Sequence, residues 1–197
     1  SNQQIYAWRE AVDVLDQLDD YSTEYLSTSF RFGNHIAGAA NEVLKDLESP
    51  ILMRGTEADR SALNSRALLY RTNAGVFGAL MKRGLGEQKK KVHVEGGVDD
   101  LRKMLDAVEQ LQMGSSTMHP DFIGYQDWNH VQEAAEAYAA PAEIRLVVKV
   151  VDEFPMVKLR EALDEAKKVS REQADIVAST AHKSKGLEFA EVGVGND

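Results

Sequence analysis

Extended and helical signals alternate along the first half of this chain, and that alternation restricts it to a few architectures. A strand pattern at Glu24–Ser29 is followed by a helical one at Asn34–Leu47, where Ile36, Ala40, Val43, Leu44 and Leu47 recur at helical spacing. Gly33-Asn34 reads as a turn and N-cap, and the small residues Ala37, Gly38, Ala39 and Ala40 would permit close packing on a sheet. A second strand is expected at Arg66–Arg71. Its continuous run Ala67-Leu68-Leu69-Tyr70 points to a parallel strand buried on both faces. Asn73 can cap a helix over Ala74–Arg83, Gly84 to Gly86 end it, and Lys91–Glu95 alternates as a third strand closed by Gly96-Gly97. Strand, helix, strand, helix, strand is the rhythm of an α/β fold with a parallel sheet.

From Asp99 to Ser170 the rhythm gives way to helices. Val98, Leu101, Leu105, Val108 and Leu111 keep helical spacing, as do Val131, Ala134, Ala135 and Tyr138, and then Leu159, Leu163 and Ala166. The valines of Ile144–Phe154 favour strand, yet Ile144, Val147, Val148, Val151 and Phe154 line one helical face, so helix is expected there. Gly114 to Pro120 reads as a loop. Sheet signals resume at Ala174–Thr180 and Ala190–Val194. The organisation expected is therefore one α/β domain over 3–98 and 171–197, interrupted by a short all-helical insertion at 99–170. Ser1-Asn2 reads as the remnant of an expression tag.

No apolar run approaches the roughly 18 residues needed to cross a bilayer, so no membrane partner is expected. With no Cys there are no disulfides or thiolate metal sites, which fits a reducing cytoplasm. His93, His119 and His130 lack metal-binding spacing, so no metal site is assigned to this chain. Lys89-Lys90-Lys91 reads as a solvated turn. A net charge of −9 predicts weak nucleic-acid affinity for the chain alone, because that affinity comes largely from Lys and Arg displacing counterions.

The chemistry-bearing motifs sit at the ends of these elements. Thr180-Ala181-His182-Lys183-Ser184-Lys185-Gly186-Leu187-Glu188-Phe189 follows the strand at Ile176-Val177. It resembles motif V of the UvrD/Rep family of DNA helicases, Thr-x-His-x-x-Lys-Gly-Leu-Glu-aromatic. Read without that resemblance, it is a capped loop with solvated lysines. The resemblance implies a RecA-like (P-loop NTPase-type) parallel sheet flanked by helices, in a motor that moves along single-stranded DNA. It further implies that Gly186 and Glu188 bind nucleotide, Glu188 at the sugar, while Thr180 and His182 approach the DNA backbone.

Other stretches resemble motifs of the same family. Gln3-Gln4-Ile5-Tyr6-Ala7-Trp8-Arg9-Glu10-Ala11 is similar to the back part of motif III. That implies that Gln3 senses the γ-phosphate and that Trp8 stacks on a DNA base, a contact worth about 1–3 kcal/mol. Alone, Trp8 would be ordinary core. Ser29-Phe30-Arg31-Phe32 resembles motif IV, with Arg31 implied to reach the γ-phosphate and Phe30 to stack near a base. An isolated Arg after a strand is more often a surface ion-pair residue. Arg71-Thr72-Asn73 matches an Arg-Thr-Asn motif that supports the DNA path, and equally suits a helix cap with a surface arginine. The Phe-Arg-Phe form and the short insertion resemble the F-box DNA helicase branch.

No Gly-x-x-x-x-Gly-Lys-Ser/Thr occurs in the sequence, and the acidic pair for Mg²⁺ and motif VI are missing as well. The chain thus reads as a fragment holding most of the second motor domain. ATP and Mg²⁺ are expected only together with an upstream RecA-like domain of the same protein, the isolated chain is expected to be an inactive monomer, and single-stranded DNA is the expected partner. The alternative from another class is a non-catalytic, degenerate helicase-like module that binds DNA or protein.

Overall fold

The computed structural model describes residues 24–56 and 65–197, which fall into two compact units divided near residue 62. Gln3 and Trp8 lie outside the described residues. The fold is α/β with every strand pairing parallel and six α-helices among the described residues, consistent with a RecA-like arrangement.

In the first unit, strand β1 (Thr28–Ser29) pairs with β2 (Arg54–Gly55) across helix α1 (Asn34–Asp46). The strand expected over Glu24–Ser29 shortens to two residues, because its ladder spans only Ser27 to Ser29: Arg54 N–H donates to the Ser27 carbonyl at 2.8 Å and Thr56 N–H to that of Ser29 at 3.1 Å. β1 therefore belongs to a separate two-stranded ribbon, not to the large sheet. Gly33, not Asn34, stands at the N-cap of α1, and the Asn34 side chain instead accepts the Gly55 N–H at 3.1 Å. Asn41 clamps the far end of the ribbon, accepting from Met53 N–H at 2.7 Å and donating to its carbonyl at 3.0 Å. Of the α1 stripe, Ile36, Val43 and Leu47 are exposed, while Ala37, one of the small residues, is the buried residue of the helix.

The second unit is built on a four-stranded sheet in the order β4-β5-β3-β6, with β3 at Arg66–Tyr70, β4 at Val92–Val94, β5 at Ile176–Thr180 and β6 at Glu191–Val194. β3 is covered less than its apolar run predicts: Ala67 is buried while Leu68, Leu69 and Tyr70 are half-buried. β5 is the most buried strand, with Val177 and Ala178 at 0% exposure, because it lies between β4 and β3. Helix α2 (Asn73–Gly84) is apolar on all sides, as a helix inside a core must be. Val76, Phe77, Leu80 and Met81 lose all or nearly all contact with solvent. Thr72, rather than Asn73, caps it, its hydroxyl oxygen accepting the Gly75 N–H at 3.1 Å.

Between β4 and β5 the chain forms α3 (Asp99–Gln112), α4 (Trp128–Glu136), α5 (Ala142–Glu153) and α6 (Met156–Lys168). Leu105, Val108, Val131, Val147, Val150, Leu159 and Leu163 join the α2 side chains in one core. Arg160 of α6 ties this layer at its surface, donating to Glu109 and pairing with Asp106 of α3. Tyr138 departs from the expected helical stripe. It follows α4 at a positive φ of 55°, 80% exposed, with Arg145 over its ring.

Candidate functional site

Because all four strands of the sheet run parallel, their carboxyl ends share one rim, the edge at which open α/β sheets bind ligands. Two of the motif loops leave this rim side by side. Tyr70 is in register with Thr180, and the Ala181 N–H donates to the Tyr70 carbonyl at 2.9 Å, so Arg71-Thr72-Asn73 and Thr180–Glu188 start from neighbouring strands.

The loop after β5 is a compact succession of turns. Thr180 is buried, and its hydroxyl oxygen accepts the Lys183 N–H at 3.3 Å, while its carbonyl accepts the Ser184 N–H at 3.0 Å. Ser184 donates its hydroxyl to the Ala181 carbonyl. Gly186 turns the chain at φ +87°, a conformation that costs a side-chain-bearing residue about 1–2 kcal/mol. His182, Gly186 and Glu188 are all exposed. Lys183 lies across Gly96 of the β4 loop, where a Cβ would come within 2.8 Å of its Cδ, and its ammonium pairs with Asp100 at 3.1 Å. Asn73, Thr180 and Lys183 line one small cleft with Val94, Glu95 and Leu101.

Arg71 is turned to the other side of the rim. Its guanidinium donates to Glu143, the second residue of α5, and its backbone N–H donates to Asp197 Oδ1 at 2.9 Å. Asp197 also accepts the Thr72 N–H at 2.9 Å and the Thr72 hydroxyl at 2.6 Å. Burial would raise the Asp197 carboxyl, but these hydrogen bonds outweigh it and hold the group below the ordinary carboxylate value. Glu143 is held low as well, first by its own backbone N–H and then, against a desolvation cost, by Arg71. Beside this network a cleft of about 530 Å³ opens, floored by Gly78, Ala79 and Leu146, with Lys82 and Arg83 at its edge. Tyr70 borders it, its phenol pushed up by burial with Arg83 opposing.

Phe30 and Arg31 belong to the other unit. Phe30 is 76% exposed, and the Arg31 N–H donates to Ser29 Oγ at 3.2 Å, which shapes the turn before α1. Sequence reasoning missed Asp197, Glu143 and Asp100, the acidic partners of the rim loops. Only Asp100 and Glu143 carried any signal, as acids in the first turn of a helix. The histidines are absorbed locally: His93 Nδ1 lies 2.8 Å from the Val169 carbonyl, and His119 and His130 accept backbone N–H groups. Among the described residues no group of three or more His, Asp or Glu side chains is placed to hold a metal ion. No described helix is long and apolar enough to cross a membrane.

The carboxyl rim of this parallel α/β sheet thus carries the two loops whose residues resemble helicase motifs, and comparison with known proteins finds DNA helicases among the similar chains. The chain is 26% identical over its whole length to F-box DNA helicase 1 of Gallus gallus, and 26% identical over 87% of its length to F-box DNA helicase protein 1 of Schizosaccharomyces pombe. These homologues are named as DNA helicases, and the chain spans only 21% and 22% of their lengths. No protein-family model matches the chain, and no solved structure does.

Proposed function

We propose that this chain is most of the second RecA-like motor domain of an ATP-dependent DNA helicase, formed by 3–98 and 171–197 around a helical insertion at 99–170. The observation that carries this reading is the adjacency of Arg71-Thr72-Asn73 and Thr180–Glu188 at the carboxyl ends of two paired parallel strands. The similarity to F-box DNA helicases supports it independently. In this reading Gln3 and Arg31 face the γ-phosphate of ATP, and Gly186 and Glu188 meet its ribose, where an exposed carboxylate can accept hydrogen bonds from sugar hydroxyls. Trp8, Phe30, Arg71, Asn73, Thr180 and His182 follow single-stranded DNA. Thr180 also shapes the loop, its hydroxyl oxygen accepting the Lys183 N–H.

ATP and its Mg²⁺ are held chiefly by the upstream RecA-like domain, which supplies the phosphate-binding loop this sequence lacks. The experiment is Arg31→Ala in the full-length protein that carries this segment. If Arg31 stabilises charge on the transferred phosphoryl group, DNA-stimulated ATP turnover falls by about 10³-fold or more, with nucleotide binding nearly unchanged. Undiminished turnover would remove Arg31 from the site.

A further inference from the structure

Two cations of the rim loops, Arg71 and Lys183, are paired with acids from the helical segment between β4 and β5. Arg71 pairs with Glu143 at the start of α5, and Lys183 pairs with Asp100 at the start of α3. Arg71 precedes the capped start of α2, and Lys183 follows β5, so the two pairs bracket the loops that the proposed function assigns to DNA. Both are partly open to water: the Arg71 and Glu143 side chains are 64% and 29% exposed, those of Lys183 and Asp100 31% and 49%. Exposed ion pairs of this kind are weak and are screened by salt, so a polyanion can compete for them. Each acid is the second residue of its helix, where positive backbone N–H groups stabilise a carboxylate whether or not its cation stays. Displacing the acid therefore costs little.

We propose that Glu143 and Asp100 stand in for nucleic-acid phosphate in the unliganded chain. They hold Arg71 and Lys183 over the rim and yield them when a single-stranded phosphate backbone crosses it. The inference rests on the helicase reading, extends the DNA-contact set to Lys183, and makes the helical segment a competitor of the DNA. Binding then loosens α3 and α5 from the two rim loops. The net charge of −9 gives such competition a purpose, because it reserves the few rim cations for a phosphate chain and denies them to smaller anions.

The test measures the anisotropy of a fluorescent oligothymidylate titrated with the chain at several salt concentrations. Glu143→Gln and Asp100→Asn keep shape and remove the competing charge. Each should tighten binding by about 1.5- to 5-fold at low salt, the range that a surface ion pair corresponds to. Glu165→Gln, which removes an acid paired with Lys168 on the solvent face of α6, controls for net charge and should tighten it less. The gain from Glu143→Gln should vanish in an Arg71→Ala background, and that from Asp100→Asn in Lys183→Ala. If Arg71→Ala and Lys183→Ala weaken binding but the acid variants match the control or bind less tightly, the stand-in role is wrong and the helicase reading survives. If neither cation variant weakens binding, the assignment of the rim to DNA fails, and the inference with it. Thermal melts of each variant separate loss of contact from loss of fold.

Discussion

Thr72 and Asp197 show how a single side chain organises a loop. Thr72 caps α2 with its hydroxyl oxygen and spends the hydroxyl proton, together with its backbone N–H, on Asp197. Gly75 is needed beneath them, since a Cβ there would meet Asp197 Oδ2 at 2.5 Å and the Tyr70 ring at 2.6 Å. The Asp197 carboxyl is held below its ordinary value, so its contribution is fully present above the unfolded carboxylate range near pH 4 and is lost as pH falls through the lower folded value. Asp197→Asn should cost about 1 kcal/mol at neutral pH, allowing for solvent screening, and should flatten the fall in stability below about pH 4. Chemical denaturation from neutral to acid pH checks this; parallel wild-type and variant curves would show that the carboxylate contributes nothing. At this scale the sequence was partly legible. Arg-Thr-Asn announced a helix cap, but choosing Thr72 over Asn73 required knowing where an acid 125 positions away would sit.

The elements were legible in proportion to their periodicity. In α5 the β-branched residues favour a strand by propensity, yet Ile144, Val147 and Val148 recur at helical spacing and are buried on one face. Periodicity won because burial outweighs a propensity difference of a few tenths of a kcal/mol per residue. The stripe of α1 has the same period, yet Ile36, Val43 and Leu47 stay exposed, since period marks a face without supplying what covers it. β2 was invisible because two residues carry no pattern at all. α2 is the element on which the second unit depends: its apolar sides contact the sheet and the helical layer at once. Phe77→Ala should therefore destabilise this unit by about 3–5 kcal/mol, read as a lowered denaturation midpoint with the slope retained. A loss below about 1 kcal/mol would mean that the core closes around the missing ring.

For the whole molecule, the proposed function makes this chain one lobe of a two-lobe motor, and its consequence can be tested on the chain alone. The rim gathers Asn73, Thr180 and Lys183, whereas a triphosphate also needs a phosphate-cradling loop, which the sequence lacks. The purified chain should accordingly show no ATP turnover above background, with or without single-stranded DNA, in a phosphate-release assay. Turnover rising with added DNA would refute the division of labour between lobes. The motif residues themselves were readable from order and spacing. Their acidic partners were not, because Arg71 finds Glu143 and Lys183 finds Asp100 only after dozens of intervening residues have folded.

Local order along the chain was set by the amino-acid sequence alone: where apolar residues recur at helical spacing, where a continuous apolar run marks a strand, and which loops carry helicase-like residues. Tertiary structure decided that β5 enters between β4 and β3 after the whole helical segment, and that α1 pairs with a ribbon outside the main sheet. The reason is physical. Strand pairing is made by backbone N–H and C=O groups that every residue carries, so the side chains specify which segments extend, while only competition for a shared core specifies which of them become neighbours.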